Sequence, residues 1–416
     1  MQLIKDATSQ KLRGAYYTPP RIANFILRWG LNGENHLDIL EPSCGDGVFL
    51  ECLANNNVPY DSITAVEYEA EEVEKARAIR LVNANIINCD FHQFCLKTDL
   101  RFDLVIGNPP FIRYQYYDKE QQLLADQIFE KAKLKRSKQS NAWVTFLVGS
   151  TLLLRNKGRM GFVIPSELLM VKYAQQLRKY LSQTFNKINI ISFKELVFNE
   201  IQQDVVLLLC EKNNTKEHKI EHIEVKDIKE LLQLNPCELN SPTKKIDFQT
   251  DKWTYYFLDQ KELELLEKIK TGKRNTISAF ANIEVGITTG ANNYFTVSDK
   301  IVQEYQLFQY AYPMVGRSIQ VSGLSFTTED WVENVKTGAK AYLLAFPNEF
   351  NGKDTDGIKH YIMHGEKLGI HKGYKTGIRE QWWVVPSIKL SDAFFLRRNN
   401  IYPKFVLNET GAYTTD

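Results

Sequence analysis

Short apolar runs and amphipathic stretches alternate through the first half of the chain. The runs are DILEP, SITAVEY, ANIINCD, FDLVIGN and RMGFVIP, and helical patterns such as AEEVEKARAIR and AQQLRKYLSQTF separate them. That rhythm predicts a parallel sheet covered by helices, an α/β, Rossmann-like, doubly wound arrangement. Two further runs, INIISF (188–193) and DVVLLLC (204–210), follow with a connection too short for a helical crossover. They predict an antiparallel pair at one edge and a mostly parallel sheet of about seven strands closed by a hairpin. After Cys210 the sequence turns polar, in EKNNTKEHKIEH, and loses firm periodicity. A boundary near residue 245 divides the chain into a domain over 1–245 and a second, α+β domain over 246–416. The second is rich in aromatics, Gly and Thr, with alternating segments NIEVGITTG, NNYFTV and QWWVVP that read as β-containing structure.

A length of 416 residues fits two domains. Apolar residues make up 44% of the chain and no apolar run approaches the ~20 residues of a membrane span. The N-terminus, MQLIKDATSQKLRG, lacks a secretory pattern, so a cytoplasmic protein is expected, with no membrane partner. Six scattered cysteines without a C-x-x-C pair, and seven histidines without H-E-x-x-H spacing, suggest reduced thiols and no metal. A net charge of +2 neither requires nor excludes a polyanionic partner.

LDILEPSCGDGVFLECL reads as strand, glycine turn and helix, the arrangement in which backbone approaches a nucleotide at the carboxyl end of a parallel sheet. Gly45 and Gly47 permit that approach. Twenty residues past Gly47, Glu67 ends the second strand, where a carboxylate accepts from both hydroxyls of a ribose. A nicotinamide-binding fold carries similar features. Asp90 ends the third strand and fits either a helix N-cap or an acceptor for an adenine amino group, with Phe91 flanking the ring.

FDLVIGNPPFIRYQ carries the most chemistry. A buried strand delivers Asn108, Pro109, Pro110 and Phe111 to the same edge as the glycine turn. Adjacent prolines restrict the backbone and lack donors, so they hold carbonyl oxygens rigidly. An amine conjugated to a heteroaromatic ring is a poor nucleophile. Accepting both its N–H bonds, at the Asn108 side-chain oxygen and the Pro109 carbonyl, favours a tetrahedral nitrogen without a strong base. Phe111 is placed to stack on the target ring, an interaction worth about 1–3 kcal/mol per base.

The order of these motifs resembles the amino-methyltransferases with an (N/D)PP(Y/F) tetrapeptide, and among them the gamma-class DNA adenine N6-methyltransferases of restriction-modification systems. The resemblance covers roughly the first 210 residues. It implies S-adenosylmethionine as cofactor, with GAYYTPPRIANFIL supplying Gly14, Tyr17, Thr18 and Pro19 at its methionine end. Glu41, Ser43, Gly45 and Gly47 match the acidic strand end and turn, Glu67 the ribose acid, Asp90 with Phe91 the adenine contact, and Asn108 to Phe111 the catalytic motif, with Pro110 shared. A second aromatic against the target base falls at Phe198.

The resemblance also implies a target base flipped out of duplex DNA, recognition by the second domain, and a separate endonuclease as partner of a monomeric enzyme. VGITTGANNYF and YPMVGRSI are similar to the specificity domains attached to these enzymes. Arg317, Arg379, Arg397 and Arg398, with Lys372 and Lys375, are candidates for phosphate or guanine contacts, or solvated surface charges. KAKLKRSKQSN (131–141) reads equally as a loop ordered by DNA or a solvated run. RNA amino-methylation and protein-glutamine methylation use similar pockets, but the ~170 residues after the first domain favour a nucleic-acid target. The final residues, FVLNETGAYTTD, look like an interrupted strand and turn, which suggests a recognition region incomplete at its C-terminus.

Overall fold

Parallel strands return through a crossover of a dozen residues or more, and the sequence supplies helices for most of these returns. The computed structural model describes residues 18–34, 36–56, 60–112, 116–135, 141–195, 197, 204–213, 215–239, 244–245, 252–272, 275–349, 356–396 and 402–415. The chain divides into two compact units, Met1–Gly272 and Lys273–Asp416.

Among the described residues the first unit contains one nine-stranded sheet. Its strands are β1 (Asp38–Glu41), β2 (Ser62–Glu67), β3 (Ala84–Asn88), β4 (Phe102–Gly107), β5 (Leu154–Pro165), β6 (Lys187–Phe193), β7 (Val205–Glu211), β8 (Lys219–Val225) and β9 (Lys244–Lys245). The spatial order is β3-β2-β1-β4-β5-β7-β6-β8-β9. Strands β3 to β5 in that order run parallel, and β7 is antiparallel to both neighbours, with Phe162 opposite Leu208 and Ile190 opposite Leu208.

Alternation along each strand sends residues to two cores. Ile39, Leu104 and Ile106 pack with helices α1 (Pro20–Leu31) and α2 (Val48–Asn56), and with Ala76 of α3 (Ala70–Ala78). Leu40, Val105 and Phe162 pack on the other face with α4 (Phe91–Lys97), α5 (Lys119–Lys131), α6 (Ala142–Leu153) and α7 (Gln175–Thr184). Helix α6 is apolar nearly all round and buries every residue but Leu152, as expected of a helix covered on all sides.

The sheet is thus larger than the seven strands the sequence predicts. The antiparallel pair does not lie at the edge, because β8 adds to β6 in parallel and β9 follows it. A buried polar pair holds that addition: Asn189 Nδ2 donates to Glu221 Oε2 at 2.6 Å, and Lys187 Nζ lies 3.4 Å from the same oxygen. His222 on β8 shares a 2.8 Å hydrogen bond with Ser192 Oγ and stacks on Phe257 at 3.9 Å. Burial pushes its pKa down to about 4, with Lys244 also lowering it and Glu224 opposing. The unfolded chain, titrating near 6.5, then takes up a proton that the folded one refuses. Stability is therefore expected to be full above pH 6.5 and to fall towards pH 4. Urea titrations of the parent and His222→Gln across that window test this, since equal slopes would remove His222 as the cause.

At the amino ends of the strands, Arg155 bonds Asp103 at 2.5 Å and Asp38 at 2.8 Å, and Ser62 Oγ donates to Asp38 at 2.6 Å. Asp38 is held below the usual carboxylate range by the Ser62 hydrogen bond, against its partial burial and with help from Arg155. Arg155 is 42% exposed, so solvent screens the clasp and each pair contributes no more than about 1 kcal/mol.

The second unit contains a four-stranded sheet, in order β10 (Thr296–Val297), β13 (Tyr342–Leu344), β11 (Ala311–Val315) and β16 (Tyr413–Thr414). A three-stranded sheet follows the order β12 (Ser325–Phe326), β15 (Phe405–Asn408) and β14 (Ala393–Phe395). Three segments predicted as strands are not strands, except at one end. NIEVGITTG is irregular, NNYF forms a helical turn leading into β10, and QWWVVP is a turn that buries Trp382 and Val385 in the core. Apolar alternation there reflects loop residues dipping into a core rather than a ladder. Among the described residues no helix is long and apolar enough to cross a membrane.

Candidate active site

The strand order reverses between β1 and β4: crossovers from β1 lead to β2 and β3, and the chain then returns to β4. At such a switch point the loops leaving the carboxyl ends of neighbouring strands diverge and open a crevice. The turn after β1 and the NPPF segment after β4 flank it. They touch directly, because Ser43 Oγ donates to the Asn108 carbonyl at 3.3 Å.

The turn is built on two glycines with different duties. Gly45 has φ +54 and Gly47 φ +99, so both adopt backbone that side chains disfavour. A Cβ on Gly47 would stand 2.5 Å from Ile79 Cδ1 and 3.3 Å from Ala76 Cα, so this glycine lets the turn seat against α3. A Cβ on Gly45 would enter open space. The close approach expected of both glycines is therefore available to a ligand at Gly45, while Gly47 is a packing glycine.

Carboxylates line the strand ends. Glu67 Oε2 accepts from the Gly45 N–H and Oε1 from the Glu69 N–H, both at 2.9 Å. Burial raises its pKa against the pull of those backbone donors. Glu41 is 1% exposed, and its Oε2 meets no hydrogen-bond donor among the described residues. Burial, then the charges of Glu67 and Asp46, raise the Glu41 pKa well above the ordinary value.

Asp90 is the N-cap of α4, one of the two roles its sequence position allows. Its Oδ1 accepts from the His92 N–H at 2.6 Å and pairs with His92 Nδ1 at 2.8 Å, while Oδ2 accepts from Gln121 Nε2 at 3.1 Å. Burial opposes ionisation, but the His92 and Gln121 contacts outweigh it and hold the carboxyl below its usual range. Phe91, expected to flank a ligand, begins α4. It is 3% exposed and stacks on Phe146 at 4.8 Å, because the first residue of α4 turns its ring into the core.

In the NPPF segment Pro109 is buried and Asn108, Pro110 and Phe111 are half-buried, with the Asn108 Oδ1 out of solvent. Phe111 packs against both cores, as befits a ring at the rim where they meet. Thr18 is buried just before α1. Gly14, Tyr17 and Phe198 lie outside the described residues, as do Arg397, Arg398 and residues 136–140 of the basic stretch.

Sequence reasoning missed His92 and Gln121. Gln121 could have been found, because Asp118 and Gln121 form a D-x-x-Q capping box that starts α5. In the second unit Arg317 is exposed, next to Lys340, whose pKa is lowered by burial and by that neighbouring charge. Arg379 is occupied instead: Nη2 donates to the Thr289 carbonyl at 2.7 Å and to that of Thr288 at 3.4 Å, bracing the ITTG loop. Among the described residues no group of His, Cys, Asp or Glu is arranged to hold a metal.

Residues 48–198 match the family described as Eco57I restriction-modification methylase, and residues 250–416 match the C-terminal domain of the Type II methyltransferase M.Eco57I. The chain is similar to the Type II methyltransferase M.AccI of Acinetobacter calcoaceticus, 27% identical over 407 residues, covering 95% of this chain and 73% of that protein. It is 27% identical to M.HincII of Haemophilus influenzae over 255 residues, 60% of this chain and 45% of that one. It is 28% identical to the restriction enzyme and methyltransferase RM.Eco57I of Escherichia coli over 202 residues, 48% of this chain and 20% of that one. The chain therefore spans less than half the length of the last two.

Two solved structures share the fold. The DrdV–DNA complex matches with a TM-score of 0.51 and 15% identity over 72% of this chain and 38% of that one. The type IIG restriction endonuclease BpuSI matches with a TM-score of 0.50 and 15% identity over 96% and 52%. Matched over 48–198 and again over 250–416, the chain is similar in both of its parts to the Eco57I-type methyltransferases of restriction-modification systems.

Proposed function

We propose that this chain transfers a methyl group from S-adenosylmethionine to N6 of an adenine flipped out of duplex DNA, with the C-terminal region reading the surrounding sequence. The observation that carries the reading is the Ser43 to Asn108 hydrogen bond, which joins the glycine turn to the NPPF segment at the switch point. It brings a cofactor half and an amine-binding half to one crevice. The relatives M.AccI and M.HincII are Type II methyltransferases, which supports DNA as the acceptor.

The residues present fit the cofactor. The space beside Gly45 admits a ligand, and the buried Glu41 carboxyl supplies an acceptor that an ammonium group would satisfy. Glu41 would hold the methionine amino group, Glu67 the ribose hydroxyls and Asp90 the adenine amino group. When bound, S-adenosylmethionine supplies an electrophilic methyl on a sulfonium.

The chain's own residues then act on the acceptor. Asn108 Oδ1 and the Pro109 carbonyl accept the two N–H bonds of the target amine and draw its lone pair out of conjugation. Phe111 stacks on the base and fixes it for in-line attack. The proton that the methylated nitrogen sheds is acidic enough to leave to water, so no strong base is needed. The exposure of Arg317 in the second unit supports a phosphate contact there.

One test of the cofactor half follows from electrostatics. An ammonium beside Glu41 lowers a pKa that burial had raised, so binding of S-adenosylhomocysteine should release protons and tighten as pH rises. Calorimetry in two buffers of different ionisation heat measures the release. A proton count unchanged between the parent and Glu41→Gln would remove Glu41 from the site. For the whole reading, labelled S-adenosylmethionine is offered duplex DNA, RNA and protein acceptors, and the product identified by mass spectrometry. N6-methyladenine in DNA is expected; label in RNA or glutamine would overturn the substrate.

A further inference from the structure

We propose that Gln121 is a positioning residue for cofactor binding, its amide holding the Asp90 carboxylate and tying it to the segment that follows the NPPF tetrapeptide. This rests on the reading that Asp90 receives the cofactor's adenine amino group.

A carboxylate oxygen accepts about two hydrogen bonds. Asp90 Oδ1 receives the His92 N–H and pairs with His92 Nδ1, and the more distant Gln93 N–H lies at 3.4 Å from the same atom. Oδ2 receives Gln121 Nε2 at 3.1 Å, and the side chain keeps 11% of its surface exposed. Oδ2 is therefore the oxygen that can take one further donor. His92 is rigidly placed, with its ring edge-on to Tyr117 and to Phe146 at 5.4 and 5.5 Å and its side chain 2% exposed. Together His92 and Gln121 fix both oxygens, so the direction offered to an incoming amino group is set before a ligand arrives.

Gln121 has a second attachment, and the two are chemically separable. Its backbone N–H donates to Asp118 Oδ1 at 2.8 Å and its Oε1 accepts from the Asp118 N–H at 3.4 Å, which closes the capping box at the start of α5. Those contacts use the backbone and the side-chain oxygen. The capping box does not need Nε2, which reaches across to Asp90, 31 positions earlier in the chain. Tyr117, one residue before that N-cap, also packs edge-on to His92. Asp90 is thus joined through Gln121 and His92 to Tyr117 and the start of α5.

The probes are S-adenosylhomocysteine and its 6-deamino analogue, in which purine replaces adenine, titrated calorimetrically into the full chain. The parent is expected to prefer the first. Gln121→Leu should weaken S-adenosylhomocysteine by about tenfold, the order of one misdirected charge-assisted hydrogen bond, and the analogue much less. Asp118→Ala, which opens the capping box but keeps the Gln121 amide, should bind both probes within about twofold of the parent. In Gln121→Glu two carboxyls face each other, and a shared proton restores the donor, so its affinity should rise as pH falls where the parent's does not.

Loss of S-adenosylhomocysteine affinity in Asp118→Ala equal to that in Gln121→Leu would overturn the proposal, because the effect would then belong to the helix start. So would unchanged discrimination in Gln121→Leu while Asp90→Ala abolishes it, which leaves the Asp90 reading intact. Discrimination that survives in Asp90→Ala would overturn the Asp90 reading itself, and the role of Gln121 with it.

Discussion

Replacing Asn108 by alanine should lower methyl transfer by about 10²–10³-fold while leaving S-adenosylhomocysteine binding within a few-fold of the parent. The asymmetry follows from where the residue acts. In the proposed mechanism its Oδ1 serves the target amine, and that hydrogen bond strengthens only as the nitrogen acquires positive charge. The proposed cofactor half of the crevice is built by the turn after β1 and by the carboxylates at the ends of β1 to β3, and Ser43 of that turn meets Asn108 at its main-chain carbonyl. Alanine keeps that carbonyl. Single-turnover transfer to a duplex containing the recognition site, alongside calorimetry, separates the two quantities. Equal losses in binding and transfer would mean that Asn108 supports the turn rather than the chemistry.

The second large effect is on stability. Gly47→Ala forces a side chain onto a residue with φ +99 and drives its Cβ to 2.5 Å from Ile79 Cδ1. Backbone strain and overpacking together cost about 2–5 kcal/mol, a large share of the ~5–15 kcal/mol that holds a domain folded. Gly45→Ala, with φ +54 and open space at its Cβ, should cost only about 1–2 kcal/mol of stability. Its added methyl points where the cofactor is proposed to lie, so its loss should appear in cofactor affinity. Denaturant unfolding of the two variants and their binding of S-adenosylhomocysteine should rank them in opposite orders. Similar stability losses in both would show that α3 yields to a side chain at position 47.

The catalytic half was readable because its local signals agree. β-branched runs at 63–66 and 104–106 lie between helical patterns, and the strand-end residues Glu41, Glu67, Asp90 and Asn108 follow from where those runs stop. Strand β8 was hidden because KIEHIEV carries charge on positions that the fold buries. Glu221 is 5% exposed and is met there by Asn189 and Lys187, and a pairing between positions 32 residues apart leaves no local trace. The burial of Phe91 was hidden for a related reason: it follows a strand-end carboxylate, and the cap that Asp90 makes for α4 turns the ring towards Phe146. In the second unit Val285 is 90% exposed and Ile283 61% exposed while Ile287 and Thr289 are buried, so the alternation of NIEVGITTG meets the core only near its end, without a ladder.

The position of β7 bears on how the protein can be made. A ribosome delivers β6 before β7, yet β6 has no place beside β5 until β7 has come between them. Until residue 211 has emerged, the growing chain carries two unsatisfied edges, one on the nascent sheet at β5 and one on a β6 waiting apart. The register that closes when β7 arrives includes Pro165 opposite Val205, at the carboxyl end of β5. Synthesis and assembly run out of step here by one strand, and the interval between them is when a chaperone would find the most to hold.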